Sequence, residues 1–459
     1  MRTMFVTVCV TLLLASPAWS QSDLTVTRVA PAHARQGRAA VVEVIGGGFD
    51  SLATLSLERA GSGSVWTPAA SMSTIRTDPS AVRLTDGRVL VAGGKLAQSG
   101  WRDDGPTLSS TEIFDPSTGQ WSAAAPMLTA CFLPVLVLLT DGRVLAAGGG
   151  SQAVLSLDAS EIYDPVTDTW TATPSMTQPR VGAAAVLLSN GKVLAAGGWN
   201  YGQLHTTEIF DPATQRWTSG PDMSEPRSSA GIATLLDGRV LVAGGAVAGG
   251  TFSSTSQIYD PGTNTWGAPA RMVTARYNHG MALLPDGHVV AMGGANGPVI
   301  SDSEIYDPAT DRWTATPPLS GPRVGMAVVS FGGRVMVVGG TDGIVEASMA
   351  TTEIYDASAN AWLMGPTMGT TRLSFAGVTL ADGRVLAAGG LTSDGGVATA
   401  EILSAPTIAF TATMVRVQNG QHLHGTFNLT GVAAGYWDVV VRDGSRVARL
   451  RNGFYVDPR

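Results

Sequence analysis

A phrase repeated seven times limits what this chain can fold into. Seven Gly-Gly pairs, at 93–94, 148–149, 197–198, 244–245, 293–294, 339–340 and 389–390, each end an apolar run such as DGRVLVAGG or NGKVLAAGG. Nine to seventeen residues further on comes a second run: EIFDP, EIYDP, EIFDP, QIYDP, EIYDP, EIYDA and finally EILSA. Six residues after Asp115, Asp164, Asp211, Asp260, Asp307 and Asp356 stands a Trp, and six beyond each Trp stands a Met or Leu. Self-similarity held in register at about 50 residues means that one supersecondary unit is stacked many times.

Each unit supplies four short strands. An apolar run such as GAAAVLLS turns through Asp-Gly, Asn-Gly or Gly-Gly into the strand that ends at the Gly-Gly pair. Those dipeptides tolerate the positive φ of tight hairpins. The Glu-Ile-Tyr run is third, an Asp-Pro corner follows, and the Trp run is fourth. Four antiparallel strands repeated seven times predict a β-propeller. The seventh unit, ending TAEIL, has no Trp run after it, whereas residues 65–72, VWTPAASM, are a Trp run with nothing before it. Trp66 is therefore expected to complete the last sheet, which closes the ring and removes its open edges.

The 459 residues include 56 Gly and only 14% charged residues, and the net charge is −7. That balance suits strands and turns, and the footprint of a nucleic-acid binder is missing. At the N-terminus, Arg2, an apolar run from Met4 to Ala15 and the small residues around Ala18-Trp19-Ser20 predict a secretory signal over 1–20, too short to span a bilayer. Cleavage would remove Cys9, leave Cys131 as the one thiol and give a secreted, periplasmic or cell-surface protein with no integral membrane segment, expected to be a monomer.

The Gly-Gly, Glu-Ile-Tyr-Asp-Pro and Trp marks together resemble the kelch repeat family over residues 64–404. The expected fold is all-β, a seven-bladed kelch propeller over 63–404. The flanks, 21–62 and 405–459, share features with an immunoglobulin-like domain of the IPT/TIG type: GGGF ending at Phe49, FNLTG, GYWDVVV and NGFYV. The propeller is either inserted into one such sandwich or flanked by a cap and a separate small domain. Insertion suits a ring whose ends meet.

Function is sought on the face where the fourth-to-first and second-to-third connections leave, because the irregular residues lie there. Kelch domains generally bind on that face. Breaks in the repeat mark ligand-binding candidates: Trp101, Arg102 and Asp103 in the longest loop, Trp199 and Tyr201 after a Gly-Gly pair, and Arg276, Tyr277, Asn278 and His279, where other units carry small residues. Exposed aromatics beside polar groups suit a protein or carbohydrate ligand. Four residues beyond each Met or Leu stand Arg76, Cys131, Arg180, Arg227, Arg276, Arg323 and Arg372. The arginines either form an anion-binding collar or serve the units themselves by bonding carbonyls or a carboxylate.

The superfamily also contains copper oxidases similar to galactose oxidase, and Cys131, Trp199, Tyr277 and His279 stand in roughly similar places. However, the position where a cross-linking Tyr is expected is Gly182. With no phosphate loop, paired-His motif or nucleophile elbow either, the expectation is a non-enzymatic binding protein without metal, cofactor or catalytic residue. An oxidase relative with an incomplete metal site and a purely structural surface module are the alternatives. Cys131 is expected to be a small buried hydrophobe.

Overall fold

The hairpin dipeptides act as their chemistry demands. Gly87, Gly142, Gly191, Gly238, Gly287 and Gly383 take φ between 80° and 93°, and the preceding Asp or Asn accepts the N–H two residues on, as Asp86 does from Arg88 at 3.0 Å. In the computed structural model the described residues are 24–35, 39–49, 53–60, 64–97, 105–343, 348–357, 359–404, 407–419, 421–429, 435–443 and 446–457. They divide into two compact units, one within 65–404 and the other made of the described residues before 65 and after 404.

Residues 65–404 hold, among the described residues, seven antiparallel sheets in chain order, six of four strands and one of five, besides two small two-stranded ribbons. The first runs Ser80–Arg83, Val89–Ala92, Thr111–Asp115, Gln120–Ala124. The last runs Ala376–Thr379, Val385–Ala388, Ala400–Ser404 and then Val65–Ala69, with Leu403 opposite Trp66. The first strands of successive sheets touch, and that of the seventh touches that of the first, so the sheets form a closed β-propeller ring. Second strands such as Val89–Ala92 are wholly buried and supply the core between sheets.

The seven tryptophans fasten neighbours. Each indole Nε1 donates to the preceding sheet or the segment that follows it: Trp121 to the Ala70 carbonyl, Trp170 to Ala125, Trp217 to Ser160 Oγ, Trp266 to Pro221, Trp313 to Ser256 Oγ, Trp362 to Ser303 Oγ and Trp66 to Pro366, all at 2.8–3.0 Å. Burial of an indole needs such a partner for its N–H.

In the other unit, strands from both ends of the sequence pair with each other. Thr25–Ala30, Ala39–Gly47, His422–Asn428 and Thr413–Asn419 form one sheet; His33–Arg35, Arg446–Asp457, Gly435–Asp443, Thr54–Ala60 and Thr407–Thr411 form the other. One core lies across both, with Val42, Val44, Leu423 and Phe427 from the first and Leu55, Leu57, Val439 and Phe454 from the second. Glu43 lies between His422 Nδ1 and His424 Nε2, at 3.1 and 3.4 Å from its Oε1.

Candidate binding face

Six of the seven sheets of the ring are entered through an arginine, and the structure shows what that residue does. Arg76, Arg180, Arg227, Arg276, Arg323 and Arg372 are at most 2% exposed. Nη1 of each donates to the first Gly carbonyl of its own Gly-Gly pair, as Arg180 does to Gly197 at 2.7 Å. In five units Nη2 meets the Glu of the third strand: Arg76 with Glu112, Arg180 with Glu208, Arg276 with Glu304, Arg323 with Glu353 and Arg372 with Glu401, at 2.7–3.1 Å. Arg227, whose own third strand carries Gln257 in place of Glu, reaches Glu225 instead, at 3.2 Å. The anion collar is therefore corrected: these guanidinium groups are enclosed and serve carbonyls and carboxylates of their own units. Burial lowers the pKa of Arg76, Arg276, Arg323 and Arg372, with the paired Glu opposing it. Arg276 leaves the list of ligand contacts for the same reason.

Cys131 occupies the seventh arginine position and is 1% exposed. Its partner carboxylate, Glu161, accepts the N–H groups of Leu128 and Thr129 at 2.7 and 3.0 Å without a guanidinium. Burial raises the Glu161 pKa, against those hydrogen bonds, and pushes the Cys131 thiol to about 12. By contrast Glu112, with Arg76 and the Ser73 N–H outweighing its own burial, is lowered.

Two residues past each arginine position the backbone turns left-handed in all seven units: Asp78, Leu133, Gly182, Ser229, Asn278, Gly325 and Ser374 have φ of 49–65°. They are linked across units. Leu133 N–H donates to the Asp78 carbonyl, Ser229 to Gly182, Asn278 to Ser229, Ser374 to Gly325 and Asp78 to Ser374, at 2.8–3.0 Å. This belt marks one mouth of the ring. The residues just before the belt bridge to those just after each Gly-Gly pair: Thr77 with Lys95, Phe132 with Gly150, Val181 with Trp199, Ser228 with Ala246, Tyr277 with Ala295, Val324 with Thr341 and Leu373 with Leu391. The two kinds of connection thus share one face in every unit.

On that face Tyr201 is 82% exposed and its ring centroid lies 5.8 Å from that of Trp199. Asn278 is exposed. Tyr277 is stacked on Phe252 at 4.6 Å and 6°. Lys95 Nζ lies 3.9 Å from the Phe132 ring centroid and 3.5 Å from Asp78 Oδ2. Trp101, Arg102 and Asp103 fall outside the described residues. His279 belongs to the packing: a methyl at Gly231 would stand 2.6 Å from its Nε2, and one at Gly244 2.8 Å from its Cε1. Neither ring nitrogen has a hydrogen-bond partner, and burial, with Arg276 and Arg227 adding repulsion, lowers its pKa to about 3. Met326 in the next unit fills the equivalent slot over Gly280 and Gly293. Sequence reading missed Phe252 and Leu133. The latter was visible as Leu, 43% exposed, at a belt position where other units carry Asp, Ser, Asn or Gly.

A ring of repeated four-stranded sheets with variable loops gathered on one face defines a repeat propeller. Comparison assigns the repeat. The kelch motif matches residues 77–128 and 322–369, and the kelch-repeats domain of the KLHDC2/KLHL20/DRC7 type matches 175–340. The chain therefore carries a kelch-repeat domain. No curated protein matches it by sequence. Among solved structures it is similar to a fungal alcohol oxidase of the AA5 family in complex with copper, at 16% identity and TM-score 0.63, covering 86% of this chain and 99% of that one. It is also similar to YjhT, at 14% identity and TM-score 0.51, covering 64% and 99%. Both likenesses concern the fold. The residues here do not fit a copper site: His279 has its nitrogens enclosed against Gly231 and Gly244, Tyr277 lies flat on Phe252, and position 182 is glycine. Among the described residues no three His, Cys, Asp or Glu are placed to hold a metal, and no helix is long and apolar enough to cross a membrane.

Proposed function

We propose that this chain is an exported, non-enzymatic binding protein: a monomeric seven-bladed kelch propeller carried on an Ig-like sandwich of the IPT/TIG type. Its ligand is a protein or a carbohydrate, held on the face where the connections gather. Kelch domains commonly bind proteins, and the match fits that role. The observation that carries the reading is the contrast between the two faces of the ring. The hairpin face repeats one turn almost unchanged, with Asp86, Asp141, Asp237 and Asp382 each paired to the Arg two residues on at 2.6–2.7 Å. The other face varies from unit to unit and exposes Tyr201, Leu133 and Asn278. Variable loops on a rigid scaffold are where recognition is built.

A blocking experiment tests it. In a Cys9→Ser background, the buried Cys131 resists labelling while Asn278→Cys and Leu236→Cys accept a bulky maleimide, one on each face. Label at 278 should abolish binding to any hit from peptide and glycan arrays, and label at 236 should leave it intact. The reverse pattern refutes the reading.

A further inference from the structure

Two units make the same turn after their Gly-Gly pair with different residues. In one, Trp199 bridges Gln203, Asn200 N–H donates to the Gly202 carbonyl and Leu204 N–H to the Gly198 carbonyl. In the other, Ala295 bridges Val299, Asn296 N–H donates to the Pro298 carbonyl and Ile300 N–H to the Gly294 carbonyl. The middle residue is left-handed in both. It is Gly297, φ 79°, in the second and Tyr201, φ 53°, in the first.

A bulky side chain in that region is strained by about 1–2 kcal/mol, and Gly is the ordinary solution. A buried tyrosine could offset the strain by packing. Tyr201 is 82% exposed, so stability does not explain it. A strained, exposed residue whose ring contact is with Trp199 is the kind of outlier from which a functional role is inferred.

Its surroundings indicate what it meets. Ser156 Oγ donates to Asn200 Oδ1 at 2.9 Å, tying the loop of the preceding unit to this turn. That loop carries Val154 and Leu155, 46% and 55% exposed. The Leu155 carbonyl and the Phe132 ring both stand against Gly150, and Leu133 follows Phe132 in the belt. Exposed large apolar residues normally lie scattered. Here Leu133, Val154, Leu155 and Tyr201, with Trp199, line adjoining loops of two neighbouring units, and neither turn 199–203 nor loop 151–157 carries a charge.

We propose that Trp199, Tyr201, Val154, Leu155 and Leu133 form a docking strip for an uncharged segment of another protein that presents apolar side chains. This rests on the binding-face reading and names its partner's chemistry. An aromatic pair brings large contact area at little entropic cost, as in protein interfaces. The aliphatic neighbours fit apolar side chains better than hydroxyls, and with no charge in turn 199–203 or loop 151–157 to pair with, a charged partner would lose its hydration uncompensated.

The test uses the full-length protein and a phage-displayed random peptide library. Selected peptides should share apolar or aromatic anchors and no charged consensus. Tyr201→Gly, which installs the residue of the equivalent turn, should leave the melting temperature unchanged or higher while weakening the selected peptides at least tenfold, about 1.4 kcal/mol. Leu155→Ser should weaken them as well, and Tyr201→Phe should largely preserve binding. A fall in melting temperature for Tyr201→Gly would make the tyrosine structural and overturn the strip. So would unchanged affinity, a charged consensus, or binding of saccharides but not peptides. If peptide binding survives Tyr201→Gly yet is blocked by label at position 278, the strip fails while the face remains the binding surface.

Discussion

The indole N–H of Trp66 donates to the carbonyl of Pro366 at 3.0 Å, across 300 residues of sequence. The other six repeat tryptophans donate likewise to the sheet before them or the segment after it, three to carbonyls and three to serine hydroxyls, so Trp66 acts as a seventh member supplied from the wrong end of the chain. Its neighbours behave accordingly, with Leu403 and Ile402 pairing to Trp66 and Thr67. Trp66→Ala should cost about 3–5 kcal/mol, as for a buried aromatic elsewhere, and should match Trp313→Ala within error in urea denaturation. A Trp66 variant as stable as the wild type would mean that the first strand is an ornament and the ring is held shut by something else.

The Arg–Glu pairs make a sharper contrast. Arg180 and Glu208 are each 1% exposed and 2.7 Å apart. Glu208→Gln leaves a guanidinium buried without its counter-charge, which should cost about 3–5 kcal/mol. Glu161 has no such partner because Cys131 stands in the arginine's place. Its raised pKa means the folded state holds the proton more tightly than the unfolded chain does. That contribution is present below the ordinary carboxylate pKa and is lost as pH rises through the folded value, so near neutrality Glu161 is a burden. Glu161→Gln should therefore be neutral or stabilising at pH 7, with the gain vanishing in acid. Equal losses for Glu161→Gln and Glu208→Gln would refute this account.

Much of this architecture could be read directly from residues. The register of Gly-Gly, Glu-Ile-Tyr and Trp placed every sheet of the ring, because those marks are backbone and packing requirements repeated without change. One side-chain detail repeats in the same way. Tyr163, Tyr306 and Tyr355 hydroxyls bond Asp168, Asp311 and Asn360 five residues on, and the units with Phe114 and Phe210 carry Gly119 and Gln215 there. What could not be read depends on partners from another unit or on a dihedral. His279 looked like a ligand because the glycines that make room for it, Gly231 and Gly244, belong to the preceding sheet. Tyr277 looked available until Phe252 was found on its ring. Tyr201 looked like one aromatic among several, since its φ leaves no trace in the letters. The arginines repeated too regularly to be specific, and burial explains why.

His279 yields the prediction with a pH signature. Its unfolded pKa is near 6.5 and its folded one about 3, lowered first by burial and then by Arg276 and Arg227. Between those values the unfolded chain takes up a proton that the folded protein refuses. The histidine's contribution is therefore intact above about pH 6.5 and lost progressively as pH falls, at up to about 1.4 kcal/mol per pH unit. His279→Met installs the side chain that fills the equivalent slot over Gly280 and Gly293, where Met326 Cε would lie 3.2 and 3.0 Å from an added methyl. The variant should fold with near wild-type stability at neutral pH and should lose less on acidification, measured as the shift in urea midpoint between pH 7 and about pH 4.5. Tyr201-dependent binding should be unaffected, because the imidazole faces glycines and not the ligand. An identical acid shift in both proteins would show that other groups set the acid limb and that His279 titrates freely.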